Sequence, residues 1–266
     1  LPMTYPGMIT GALFVILIAL IARGVAFEFR SKDDNPLWRK TWDYAIFFGS
    51  LIPALLWGVA FGNIVRGVPI DASMTYTGDF FSLLNPYALL GGLVTLTLFT
   101  LHGAIFLSLK TDGIVRERAE SWAKRVWLPV VVLALGFVAY SFAETDLFAR
   151  DNNIVQFVAV GLAVVGLLFV GYNIFMKSRF GLAFLGTGIT IIAVVVWLFS
   201  GLFPRVMPST LEGGLDLTIY NASSSEYTLG VMTIIAVFFV PIVLGYQAWS
   251  YWVFRKRLTT ESHLEY

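Results

Sequence analysis

Cysteine is absent from the 266 residues, which removes disulfides, thiolate metal sites, thioether haem attachment and redox-active thiols from consideration. Charge is scarce as well. Only 13% of residues are charged, and the formal net charge of +1 provides neither a basic field for nucleic acid nor an acidic tail for a basic partner. Histidine occurs twice, at His102 and His263. No Walker loop, dinucleotide fingerprint, metal-ligand cluster or nucleophile elbow is found. A cleavable signal peptide is not visible either, because residues 1–27 lack a basic start and run directly into a full-length apolar stretch.

What the chain has in quantity is apolar surface. Apolar residues make up 58% and the mean hydropathy is +0.78, outside the usual soluble range. Runs of about twenty such residues recur, each long enough at roughly 1.5 Å per residue to cross a hydrocarbon layer of about 30 Å. The predicted spans are 7–27, 41–65, 86–109, 126–143, 154–176, 181–203 and 229–254. This predicts an all-α integral membrane protein, a helix bundle of about seven transmembrane helices, with residues 1–266 as a single polytopic membrane domain.

Lys and Arg alternate between rich and poor connections. Arg30, Lys32, Arg39 and Lys40 follow the first span, Lys110, Arg116, Arg118, Lys124 and Arg125 the third, Lys177 and Arg179 the fifth, and Arg255, Lys256 and Arg257 the seventh. The other connections carry one each: Arg66, Arg150 and Arg205. The positive-inside rule then puts the C-terminus in the cytoplasm and Leu1 outside. Trp38, Trp42, Trp122, Trp127, Trp249, Tyr251 and Trp252 cluster at the proposed cytoplasmic ends, where amphipathic rings anchor helices at the interface. The two longest outer connections, 66–85 and 204–228, are expected to fold back onto the outer surface.

Ionisable groups inside a span cost roughly 2.5–3.5 kcal/mol at its centre on insertion scales, so the few present are candidates for function. They are Arg23, Glu28, Asp43 and His102. The basic segment between the first two spans lets Arg23 or Arg30 pair with Glu28 or Asp43, as a structural ion pair, by snorkelling, or within a proton relay. His102 is the only histidine in a span, and one imidazole cannot supply both axial ligands of a haem. Hydrogen bonding to a neighbouring helix, a proton path and a quinone contact all remain open for it. Gly49, Gly58 and Gly62, with Gly91 and Gly92, mark packing seams. Pro53 and Pro241 interrupt two spans and predict kinks. On these features alone, a transporter and a respiratory subunit are equally open.

Several segments taken together resemble subunit II of the cytochrome bd quinol oxidases. They are GVAFEFRSK at 24–32, WRKTWD at 38–43, GVAFGN at 58–63 followed by GVPI at 67–70, and YTGDFFSLLNP at 76–86. Near the end come FPRVMPST at 203–210, NASSSEYTLGVMT at 221–233 and VPIVLGYQAWSYW at 240–252. Between 111 and 202 the likeness rests on hydropathy. The resemblance implies a family member with two further helices before Leu1, nine in all, arranged as two four-helix bundles plus a peripheral helix. It implies a partner, subunit I, that holds haem b and haem d and oxidises quinol while dioxygen is reduced to water. This chain would then bind no haem alone, brace subunit I, contribute to proton access and, in some members, hold a structural quinone. Small accessory membrane subunits also fit, in a bacterial or archaeal plasma membrane and without nucleic acid. Glu28 matches an acidic family position beside the proton route, with Arg23, Arg30 and Asp43 also matching. A secondary membrane transporter is the alternative, and it requires inverted repeats with helices broken at corresponding places.

Overall fold

The computed structural model of the protein describes residues 7–149 and 153–259; Arg150 and His263 lie outside them. Seven long helices follow one another: α1 (Gly7–Phe29), α2 (Pro36–Arg66), α3 (Pro86–Lys110), α4 (Gly113–Glu144), α5 (Asn153–Tyr172), α6 (Phe180–Leu202) and α7 (Glu226–Val253). A π-helical turn, Asn173–Lys177, continues α5. Six of the seven, α2 to α7 with that turn, are long and apolar enough to cross a membrane. The first, α1, is 23 residues long and carries the first apolar run.

The helix starts are written locally. Asn35 Oδ1 accepts from the Leu37 amide at 2.9 Å with Pro36 opening α2, and Asn85 Oδ1 accepts from the Ala88 amide at 2.9 Å with Pro86 opening α3. A side-chain acceptor for the orphan amides, followed by a residue with no amide hydrogen to lose, is a strong start signal. Two starts lie earlier than hydropathy indicates. WRKTWD falls inside α2, and 113–125 is not a loop but the first turns of α4. Hydropathy registers where lipid begins, whereas helix formation needs only propensity and caps. Asp112 accepts from the Gly113 amide at 3.0 Å, and Arg116 bonds Glu120 one turn on at 2.9 Å, which support helix outside the lipid.

Consecutive helices α1 to α4 pack side by side, while α5 and α6 form a second unit docked on α3 and α4. The α2–α3 seam is close because it is lined by glycine. Gly92 would bring a Cβ to 2.9 Å from Leu55 O, and Gly62 would bring one to 2.8 Å from Ala88 Cα. Thr95 Oγ1 donates across this seam to Ala54 O at 2.9 Å. One buried cluster joins α3, α4, α5 and α6 through Leu101, Ala123, Val130, Val170, Ile174 and Phe180. A second adds Val65 of α2 and centres on Tyr87, Phe137 and Trp197. Both α2 and α7 run continuously through Pro53 and Pro241.

The connections 67–85 and 203–225 fold together over one end of the bundle. Strands β1 (Arg205–Met207) and β2 (Leu217–Thr218) pair antiparallel, and Val68, Ile70, Tyr76, Leu83 and Leu217 share a small buried cluster. The described cations at this end, Arg66 and Arg205, are paired. Arg66 Nε meets Glu144 at 2.9 Å, while Arg205 meets Asp146 at 2.6 Å and Asp216 at 3.6 Å.

Helix α7 stands apart. Its window is 0% buried, against 17% to 39% for the other five helices that qualify as spans. At the basic end it is tied to α3, where Lys110 Nζ donates to Phe254 O at 2.7 Å and the Leu258 amide donates to Lys110 O at 2.8 Å.

Candidate functional site

Four of the five charged or titratable residues singled out from the sequence lie on α1, α2 or the turn between them, and two of these, Arg30 and Asp43, are in contact. Arg30, just past the end of α1, points Nε at Asp43 Oδ1 at 2.6 Å and Nη2 at Oδ2 at 3.4 Å. A two-toothed contact of this kind orients both groups, although both side chains stay about half exposed at 45% and 53%, so the pair adds little stability. Asp34 neutralises Arg39 in the connecting turn. Trp38 Nε1 donates to Phe29 O at 2.7 Å, satisfying an end carbonyl of α1. Trp42 packs between Phe29 and Trp38, with centroids at 5.6 and 5.5 Å, and its buried Nε1 has no partner among the described residues. These indoles therefore join two helices in addition to sitting at an interface.

Arg23 lies at the crossing itself, half-buried, with Gly49 making room: a Cβ on Gly49 would stand 2.7 Å from Arg23 Cβ. Glu28 is exposed and makes no ion pair or side-chain hydrogen bond among the described residues. The structure thus couples Arg30 to Asp43 and leaves Glu28 and Arg23 free of both.

His102 is not at the α1–α2 corner. It sits on α3 and faces α6, where Nδ1 is 2.7 Å from Thr187 Oγ1 and the ring stacks on Phe184 at 4.5 Å. Thr187 spends its own hydrogen on Phe184 O at 2.9 Å. Its oxygen therefore receives a hydrogen from Nδ1, and the neutral imidazole has Nε2 as its bare acceptor.

Two features had no signal in the sequence patterns. One is the Arg66–Glu144 pair, whose members are 78 residues apart. The other is a cavity of about 210 Å³ between the two helical units, walled by residues such as Leu98, Phe137, Ala159, Leu167 and Trp197. Thr95 and Thr190 bring hydroxyls to the wall, but each donates to a backbone carbonyl, of Ala54 and of Gly186. The cavity therefore accepts apolar matter only. Among the described residues no three His, Asp or Glu side chains gather as a metal site.

Comparison with known proteins places these features in context. A sequence profile described as cytochrome bd terminal oxidase subunit II matches residues 2–254. Cytochrome bd ubiquinol oxidase subunit 2 of Bacillus subtilis is 40% identical over 268 residues, covering 100% of this chain and 79% of that protein. Cytochrome bd-I ubiquinol oxidase subunit 2 of Escherichia coli is 33% identical over 294 residues, 98% of this chain and 78% of its own length. The solved bd oxidase of Geobacillus thermodenitrificans superposes with a TM-score of 0.68 over 91% of this chain and 72% of that one, at 15% identity, a likeness of fold.

Proposed function

This chain belongs to the cytochrome bd terminal oxidase subunit II family, and from that premise we propose that it is the non-haem subunit of a quinol:oxygen oxidoreductase, bracing a haem-bearing subunit I and contributing to its proton access. It is a multi-pass membrane protein and part of an oxidoreductase complex. The single observation that carries the bracing role is α7. A helix of 28 residues without one buried residue has its packing partner outside the described residues, because helices in lipid gain stability from close packing and not from leaving water. A haem-bearing subunit of similar span supplies that surface.

Haem b and haem d are assigned to subunit I. In this chain one described imidazole is committed to Thr187 through Nδ1, and a second axial ligand would have to come from elsewhere. The apolar cavity supports a structural quinone only through its isoprenoid chain, since no wall hydroxyl is left to receive a ring carbonyl. For proton access, Glu28 is the favoured carboxylate, because Asp43 is held by Arg30; Arg23 and Arg30 set the local charge, and His102 offers a second exchangeable site at Nε2. The basic end then faces the cytoplasm of a bacterial plasma membrane, from which protons are drawn. A transporter would need helices broken at matching depths, and α2 and α7 are unbroken.

The test is purification through a tag on this chain, from cells that do or do not express subunit I. Haem absorbance and quinol-driven oxygen uptake are expected only in the first preparation. Full oxygen uptake by subunit I without this chain would refute the bracing role.

A further inference from the structure

The basic end of the bundle carries charge that the described residues do not balance. Arg30 and Arg39 are matched by Asp43 and Asp34, and Arg116 by Glu120. Lys124 and Arg125 on α4, with Lys177 and Arg179 at the α5–α6 turn, have no carboxylate partner among the described residues. The segments that carry these four pack against one another. Ala123, Ile174 and Phe180 share a single buried cluster, and each is a near neighbour in sequence of one or two of the cations. Trp127 fastens the two sides together: its Nε1 donates to Leu167 O at 2.9 Å and its ring meets Phe175 edge-on at 5.5 Å. The ring lies where Gly171 leaves space, since a Cβ there would come within 2.6 Å of Trp127 Cε2. The π-helical turn and Ser178, at a left-handed φ of 49°, then set the direction of the turn that carries Lys177 and Arg179.

Immediately beside the cations the surface becomes apolar. Tyr172, Phe175 and Met176 are exposed at 52%, 50% and 73%, and Lys177 Nζ lies 5.9 Å over the Tyr172 ring. Cations that border exposed rings and a thioether lie at the depth where phosphate meets hydrocarbon. We propose that this basic surface binds the phosphate headgroup of an anionic phospholipid, with an acyl chain along Phe175 and Met176. A soluble phosphate would satisfy the cations but leave that apolar face uncovered, so the lipid is the occupant favoured by both halves of the surface. Each basic residue near a membrane surface raises affinity for anionic lipid by about fivefold, so removing two lowers affinity by roughly 25-fold.

The experiment uses the whole complex, reconstituted into vesicles of phosphatidylcholine and phosphatidylglycerol, extracted in detergent, and assayed by mass spectrometry for retained lipid. Wild type is expected to retain phosphatidylglycerol, K177Q/R179Q to lose most of it, and K32Q/K40Q, which removes the same charge from the α1–α2 turn and the start of α2, to retain it. Retention by K177Q/R179Q, or equal loss from K32Q/K40Q, overturns the site. Displacement of the lipid from wild type by excess inorganic phosphate overturns the choice of occupant. If K177Q/R179Q fails to assemble, thermal unfolding of wild type decides: a higher midpoint with phosphatidylglycerol than in phosphatidylcholine alone is expected, and equal midpoints overturn the proposal.

Discussion

Placing a methyl group at Gly58 tests the closeness of the α2–α3 seam. The Cβ of Gly58→Ala would meet the Thr95 hydroxyl, the Gly91 carbonyl and, at 2.7 Å, the Gly92 Cα. Carbon atoms rest at about 3.5–4.0 Å, so the helices must part by roughly 1 Å. Such overpacking costs about 1–3 kcal/mol. Parting also weakens the Thr95–Ala54 bond across the seam, worth about 0.6 kcal/mol in a membrane. The better helix propensity of alanine returns about 1 kcal/mol, leaving a net loss of about 0.5–2.5 kcal/mol. Gly103→Ala on α3 is the control, because nothing lies within 4 Å of its Cβ, and it is expected to be neutral or slightly stabilising. Unfolding of the complex in mixed micelles with rising dodecyl sulfate, followed by circular dichroism, reads both. Equal midpoints for the two variants would refute the seam as described.

Further outcomes follow from the same geometry. Glu28→Gln is expected to slow quinol-driven oxygen uptake per haem with haem content intact; lost assembly with normal turnover would mark a structural role instead, and full activity with full assembly would exclude both. Asp71 accepts from the Ser73 hydroxyl, the Thr75 amide and the Ser73 amide, which hold its carboxyl below the ordinary value of 3.8 against the opposing effect of burial. A depressed pKa stabilises the loop above the unfolded value and loses that contribution as pH falls below about 3.8, so the Thr75 amide should lose hydrogen-exchange protection in acid; no change relative to Asp71→Asn would count against it. Ser121→Cys, in a chain without cysteine, is expected to react with a membrane-impermeant maleimide only after cells are opened, and labelling in intact cells would reverse the topology.

The spans were legible because lipid demands long apolar helices; the start of α3 at Pro86 agrees with the predicted span 86–109, whereas α2 begins at Pro36, ahead of the predicted span 41–65. How the helices pair was not. Leu98 is buried and Phe99 exposed beside it, yet both are apolar, since the face toward lipid and the face toward protein obey the same solvent preference. Only the small residues carried a pairing signal, and Gly58, Gly62, Gly91 and Gly92 do lie on one seam. Among the candidate groups, Arg30–Asp43 was within reach of sequence because a short turn joins α1 to α2. His102–Thr187 was not, because 85 residues separate the partners and threonine is common in spans.

The isolation of α7 has a consequence for the life of the chain in a cell. Translation delivers this helix after α1 to α6, and when it enters the bilayer the described residues offer it the Lys110 bonds at one end. Insertion is then complete while packing is not. On the proposed bracing role, a copy without subunit I leaves this transmembrane surface open to membrane proteases, and a pulse-chase in the absence of subunit I should show the half-life of this chain shortened.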